Sequence, residues 1–495
     1  MIIALCKKDI RSDTTDNNIS TSRIRAFTAP GIFKQAVVAP LLVATMISFA
    51  DLHAQQQPED SPARQEQDDL MSLLKESPKN SFDLKGFAEI SSDTGLSDNE
   101  YGEQSFYNMG ARTKFRPAYS SQKFKAYADI DFFAKSYSHV KEYSFETSEF
   151  YIEGGNSLLW KTGKQRFNWG VADIFSIVNP MDQIDLRESF ARDNDEKFCG
   201  VYALRLTYIK GDYAIEAAAR PVTEPLMRPA GFYAIHADLQ DTPAGTVTPG
   251  YKDSDAERKI KNAAFALRGG GTTSGLDWHL FVYSGPQPRS AYSSTLERTD
   301  TGLNLTMEPI FDRVTIIGVD AAFAMGKLNT RFEGIYSPDM VASEKIDDQQ
   351  KTVAMSQIMG GSDSALLQDG TSRNYYSYGV GADYNLWGNY GTVYCEWMQA
   401  RFVDESDIEK ELQSDILALR IEDSFFSQAL NLSAGSMIRI DNMSAGYALT
   451  TEAEYDFKNG LTATAGAYYF VPNSDTYMQL FEDMNMIYLR MRFSF

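Results

Sequence analysis

The last ten residues, Met486 to Phe495, alternate without interruption. Ile487, Leu489, Met491, Phe493 and Phe495 share one face of a strand, and Tyr488, Arg490, Arg492 and Ser494 share the other. Side chains alternate across a strand, so this segment has one apolar face and one charged face. In a soluble protein such a terminal strand would expose an aggregation-prone edge. A closed membrane barrel needs one to seal against its first strand, because lipid offers no partner to an unpaired backbone group.

The other end agrees. Lys34 precedes an apolar stretch from Ala36 to Ala50, and Leu52-His53-Ala54 offers a cleavage site before Gln55. This is the order of a secretory signal, so residues 1–54 are expected to be a removable signal peptide with an over-long start. The stretch is short for a helical span and contains Pro40. Nothing later approaches about 18 consecutive apolar residues, so no transmembrane helix is expected. A barrel needs apolar residues only at alternate positions, with aromatic girdles at both interfaces. Hydrophobic content is 43%, and the chain holds 27 Tyr and 30 Phe.

Cysteine and charge narrow the function classes. Cys6 would leave with the signal, and Cys199 with Cys395 do not make a disulfide framework. One bridge stays open in an oxidising compartment. Residues 1–54 carry six Lys/Arg and four Asp/Glu, so the mature chain stands at −22 against −20 for the whole. That charge argues against a nucleic-acid partner.

Residues 55–80 are rich in Gln, Glu, Asp and Pro and read as a short solvated periplasmic segment. From Ser81 to the end the pattern changes to repeated strands. In the clearest, Phe124, Ala126, Ala128, Ile130, Phe132 and Ala134 face one way, and Lys125, Tyr127, Asp129, Asp131, Phe133 and Lys135 the other. The fold expected over 81–495 is all-β: a transmembrane antiparallel up-and-down β-barrel of about 18 strands, with about 16 as the alternative. The strands fall at 82–94, 105–118, 123–137, 143–155, 158–169, 200–210, 213–221, 260–269, 276–285, 313–326, 328–337, 375–387, 391–402, 414–423, 429–440, 446–457, 461–471 and 486–495. Every second connection is short and most carry Gly, Asn or Ser, as at Gly326-Lys327 and Lys458-Asn-Gly460. The long connections, 170–199, 222–259, 286–312, 338–374 and 472–485, fall on the opposite parity. Short periplasmic turns and long extracellular loops are the asymmetry of a membrane barrel.

The third long-side connection stands out. It carries Trp169-Gly170, Asp173, Asn179-Pro180, Asp182, Asp185 and Arg187. Gly170 permits a sharp exit from the strand and Asn179-Pro180 starts a turn. Ile174, Phe175, Ile177 and Val178 suit a loop that folds inward and packs on the wall. Gly163, Gln165, Arg166, Trp169, Gly170, Asn179, Pro180 and Asp182 resemble the Trp-Gly and Asn-Pro-x-Asp element of porin-like barrels, including the alginate-export-like families. The ending resembles the terminal strand that marks bacterial outer-membrane barrels for assembly, with Phe495 as the signal read by the assembly machinery. These resemblances imply an outer-membrane channel for small hydrophilic solutes, in contact with outer-membrane lipids and open to homo-oligomerisation.

By alternation the lumen charges are Lys125, Asp129, Asp131, Lys135, Glu149, Glu153, Lys164, Arg166, Arg205, Glu216, Arg220, Arg268, Arg331, Glu333, Arg420, Glu422, Arg439, Glu452, Glu454, Arg490 and Arg492. They either set a field across a pore or form a ladder of ion pairs that stiffens a wet wall. The motif of the third connection likewise serves as a constriction or as architecture, with Trp169 in an interfacial girdle. If it constricts, Asp173, Asp182 and Asp185 are expected to face Arg205, Arg220 or Arg268 across a gap.

An enzyme is not expected, nor a cofactor or a metal. His139, His236 and His279 match no zinc spacing, and no Gly-x-Ser-x-Gly elbow occurs. Acidic runs at 193–196 and 253–257 lack the spacing of a calcium loop. The alternatives to a channel are a surface adhesin or partner anchor acting through 222–259 and 338–374, and an outer-membrane hydrolase.

Overall fold

The computed structural model describes residues 80–495 except 96–106, 138–139, 173, 175, 185–197, 223–245, 252–261, 289–290, 300–301, 311, 345–347, 387–390, 404–413, 442–443 and 472–484. The expected signal peptide and nearly all of the 55–80 segment lie outside the described residues, as do both acidic runs, His139 and His236.

In chain order the strands are β1 (Ser81–Gly95), β2 (Tyr107–Ser120), β3 (Phe124–Tyr137), β4 (Val140–Gly155), β5 (Leu158–Gln165), β6 (Gln183–Ile184), β7 (Phe198–Cys199), β8 (Val201–Lys210), β9 (Tyr213–Arg220), β10 (Thr246–Tyr251), β11 (Ala264–Thr273) and β12 (Leu276–Pro286). They continue with β13 (Ala291–Arg298), β14 (Gly302–Ile310), β15 (Arg313–Met325), β16 (Leu328–Ser343), β17 (Ser364–Gln368), β18 (Gly370–Asn385), β19 (Gly391–Phe402), β20 (Ser414–Phe425), β21 (Leu430–Asp441), β22 (Ser444–Asp456), β23 (Leu461–Val471) and β24 (Met486–Ser494). One helix, α1 (Asp348–Met359), precedes β17.

Eighteen of these strands pair antiparallel in one closed circuit. It runs β1–β5, β8, β9, β11, β12, β15, β16, β18–β24 and returns to β1. Closure pairs Phe87–Gly95 with Met486–Ser494. Phe495 extends the seam, its N–H donating to Gly86 O at 2.9 Å and its carbonyl accepting from Gly86 N–H at 2.9 Å. Only glycine fits at residue 86: a Cβ there would lie 2.3 Å from Lys114 O and 2.8 Å from the Phe495 ring.

The alternation of side chains becomes an apolar outside and a polar inside. Ile90, Phe132, Phe145, Phe150, Leu267 and Leu489 are exposed on the outer face, where lipid solvates them. Lys114, Asp129, Asp131, Glu216, Asp320 and Glu333 are buried on the inner face. Cys395 is exposed and Cys199 half-buried, and neither is in a disulfide.

Two local differences from the sequence pattern have physical causes. The turn expected over Gly269–Gly275 narrows to Ser274-Gly275, both with left-handed backbone. Gly270 stays in β11 because the His279 ring packs against it, 2.3 Å from where a Cβ would sit. Second, three long connections are not irregular. Strands β10, β14, β13 and β17 form a separate four-stranded sheet. Leu296, Leu303, Leu305 and Leu367 from this sheet pack with Ala354 and Ile358 of α1 into a small core of their own. All these pieces leave the barrel at the long-loop end.

Candidate functional site

β5 stops at Gln165, four residues earlier than its apolar pattern suggests, and the chain turns into the lumen. Its own residues make the turn. The N–H groups of Phe167 and Asn168 donate to the Asp182 carboxylate at 2.8 and 2.9 Å. Asn179 Nδ2 donates to the same carboxylate at 2.8 Å, and Asp182 N–H donates back to Asn179 Oδ1 at 3.2 Å. The Asn-Pro-x-Asp element is thus a knot that ties the end of the segment to its start. Burial pushes the Asp182 carboxyl up from its ordinary range, opposed by the donors on Asn179, Asn168 and Phe167.

The segment is held to the inner wall by packing and by wall carboxylates. Phe167, Trp169, Val178 and Met181 are buried against Val201, Ala203, Ala218, Ala266, Phe281, Val314 and Ile316. Small inward residues on β8, β9 and β11 leave the room that these large side chains fill. Trp169 packs on Phe281 with ring centroids 5.3 Å apart, lies under the Arg268 guanidinium at 5.5 Å, and donates its Nε1–H to Glu216 at 3.0 Å. Glu333 of β16 accepts from the N–H groups of Val171, Ala172 and Ile177 at 2.6, 2.9 and 2.8 Å. Glu396 of β19 accepts from Ile174 N–H at 3.0 Å. Arg220 donates to Met181 O at 2.8 Å and to the Tyr283 hydroxyl at 3.2 Å. Gly170 has φ +116°, and a Cβ there would lie 2.6 Å from Glu333 Oε1. Only glycine lets the backbone approach that carboxylate.

These placements sort the expected site residues. Trp169, Gly170, Asn179, Pro180 and Asp182 come together inside the barrel. Trp169 therefore anchors the segment and is not part of an outer girdle. Asp173, Asp185 and Arg187 lie outside the described residues. Asp182 faces its own segment's N–H groups, and the three basic wall residues expected opposite it are held elsewhere. Arg205 pairs with Glu216, Arg268 with Asp320 at 3.2 Å, and Arg220 with Met181 and Tyr283. Sequence alternation marks Glu216 and Glu333 only as inward charges and does not mark Glu396. Their role as acceptors depends on where the segment lands.

The remaining inner wall carries ion pairs. Asp131 pairs with Arg112, Asp129 with Arg116 at 3.3 Å, and the buried Lys114 sits between both carboxylates at 3.8 and 3.7 Å. Lys125 meets Glu153 at 3.3 Å, Arg331 meets Asp383 at 2.5 Å, and Glu452 meets Arg490 at 2.8 Å. Arg439 lies on the inward register of β21, opposite Gly446. Arg166 lies just past β5, and its backbone N–H donates to the Glu149 carboxylate of β4 at 3.0 Å. Lys164 is a correction: its register partners, Phe150 and Tyr202, both face outward, so it faces outward too. His279 is inward, with Nδ1 at 2.7 Å from the buried Asp320. No cluster of three metal-ligating side chains occurs among the described residues.

Among solved structures, Acinetobacter baumannii OccAB1 superposes with a TM-score of 0.50 at 8% identity, covering 84% of this chain and 96% of that one. The fold is that of the outer-membrane porins. Pseudomonas aeruginosa OccD3 (OpdP) is similar at a TM-score of 0.47 and 10% identity, covering 84% of this chain and 91% of that one. Pseudomonas aeruginosa OprD gives 0.46 at 9% identity, covering 86% and 97%. No family model and no curated protein matches the chain.

Proposed function

We propose that this chain is a channel of the bacterial outer membrane for small hydrophilic solutes, narrowed by the inward segment 166–184. One observation carries this reading. The segment is bound to one side of the inner wall by Trp169 and by Glu216, Glu333 and Glu396, while the other side keeps a wall of paired charges. A barrel built only as an anchor has no need of a wet charged wall on one side and a fixed internal strap on the other. The Trp-Gly and Asn-Pro-x-Asp element is then the sequence mark of that strap. Residues 1–54 are the export signal and Phe495 the assembly signal in this reading. The barrel is expected to give stepwise conductance in planar bilayers and to admit sugars and amino acids in a liposome-swelling panel. A folded barrel that passes neither ions nor solutes sinks the proposal.

A second reading has its own support. The sheet of β10, β14, β13 and β17 with α1 is a folded unit with its own core at the long-loop end, which suits a surface that binds a partner. Its deletion should then abolish binding to cells or matrix and leave conductance unaltered.

A further inference from the structure

The outer face of the barrel is not covered evenly by large side chains. Near the seam, two outward rows cross the strands in register. One is Leu489, Ser92 and Met109, from β24, β1 and β2. The other is Ile90, Ala111, Ala134 and Tyr143, from β1 to β4. Leu489, Met109, Ile90 and Tyr143 are exposed and stand out from the surface. Ser92, Ala111 and Ala134 between them are small. They form the floor of an open slot of about 490 Å³, within the roughly 300–1,000 Å³ of small-ligand sites.

The slot lies within five positions of the long-loop end of each of these strands. Tyr143 bounds its β4 side, three residues from the end of that strand, where tyrosines meet lipid headgroups. Phe132 and Phe145 occupy the next outward row of β3 and β4, with ring centroids 4.8 Å apart. They stop the slot on that side toward the bilayer centre. Apolar area alone gives no preference here, because the surrounding hydrocarbon is equally apolar. Fit does: an unfilled slot forfeits the dispersion contacts of its walls, and a single threaded chain restores them. A flat protein face would bridge the slot and leave it void.

We propose that this slot seats one acyl chain of a lipopolysaccharide, with the sugar head of that lipid at the level of Tyr143. Long loops outside the cell put the slot in the outer leaflet, which in a bacterial outer membrane is built of lipopolysaccharide. The chain lies over Ser92, Ala111 and Ala134, between the ridges of Leu489 and Met109 and of Ile90 and Tyr143. It covers the outside of the strands that close the barrel, β24 to β3. The inference rests on the barrel fold and its orientation and is independent of the channel reading.

The test uses the whole barrel in detergent, mixed with hexa-acylated lipid A and read by native mass spectrometry. One lipid A is expected to stay on each barrel. Ala111→Phe with Ala134→Phe fills the slot and should lower the retained fraction about tenfold. Leu267→Phe, on the outer face of β11, should leave it unchanged. If the double variant yields little folded barrel, Ala111→Leu alone should lower retention part of the way. A wild-type barrel that retains no lipid A, or retention that no slot variant moves, overturns the proposal. Equal retention of a diacyl phosphatidylethanolamine overturns the assignment to lipopolysaccharide. Efficient disulfide linkage of two copies through Ser92→Cys would put a second copy on this face and also overturn it. A barrel that retains lipid A in the slot but conducts nothing sinks the channel reading and leaves this inference standing.

Discussion

The two sides of the inner wall obey the same strand alternation and end in opposite states. From β8 round to β19 the inward positions include Val201, Ala203, Ala218, Ala266, Val314, Ile316 and Ala400, and the segment after β5 covers them. From β20 round to β4 they include Arg420, Glu422, Glu452, Arg490, Arg492, Glu89, Arg112, Arg116, Asp129 and Asp131, which pair with each other. The carboxylates divide accordingly. Glu333 and Glu396 meet backbone N–H groups of the segment and fix it. Glu422 and Glu452 meet guanidinium groups and stay in contact with lumen water. An inward acid on a barrel strand thus has two fates, set by whether its neighbours on the wall are apolar enough to draw a loop over it.

The comparison breaks most readily if the segment is removed. Deletion of residues 172–184 should raise single-channel conductance by about twofold or more, since the strap no longer fills its side of the lumen. Unchanged conductance in a folded variant would mean that the segment does not limit the pore. Next in size is Trp169→Ala. It empties a buried site on the covered side and is expected to cost about 3–5 kcal/mol of local stability, read as faster protease cleavage within 166–184.

A matched pair sharpens the contrast. Glu333→Gln replaces charge-assisted acceptance from three N–H groups and should lower stability by about 1.5–3 kcal/mol, seen in the thermal unfolding of the folded band. Arg116→Gln on the charged side should cost less than about 1 kcal/mol and instead shift the reversal potential toward cation permeability. Equal destabilisation by both would erase the distinction between the two walls. The smallest selectivity effect is expected at Asp182→Asn. Its carboxyl is buried in the knot, so the reversal potential should stay at the wild-type value while the segment loosens by about 1–3 kcal/mol. A clear shift toward anions would place that carboxylate on the solute path.

Much of this architecture was legible because a barrel wall repeats a period of two. Strand β19 and strand β23 appear at the bounds that alternation predicts. The short turns sorted onto one end because Gly and left-handed Lys or Ser positions punctuate them, as at Gly326 and Lys458. The inward segment was legible as a loop with too many apolar residues for water. Its anchors were not. Glu333 and Glu396 lie more than 150 residues from the N–H groups they accept, and no local pattern encodes which acid a loop will reach. The sheet with α1 was hidden for a related reason: its strands come from three connections that read separately as polar and irregular.

The sequence by itself determined the strands, their facing and the end at which the long connections lie, because each depends on a few adjacent residues and on the two-residue period of a strand. Tertiary structure alone decided which side of the lumen is filled and which carboxylates hold the segment. Those outcomes depend on pairings between residues brought together only when β24 closes against β1.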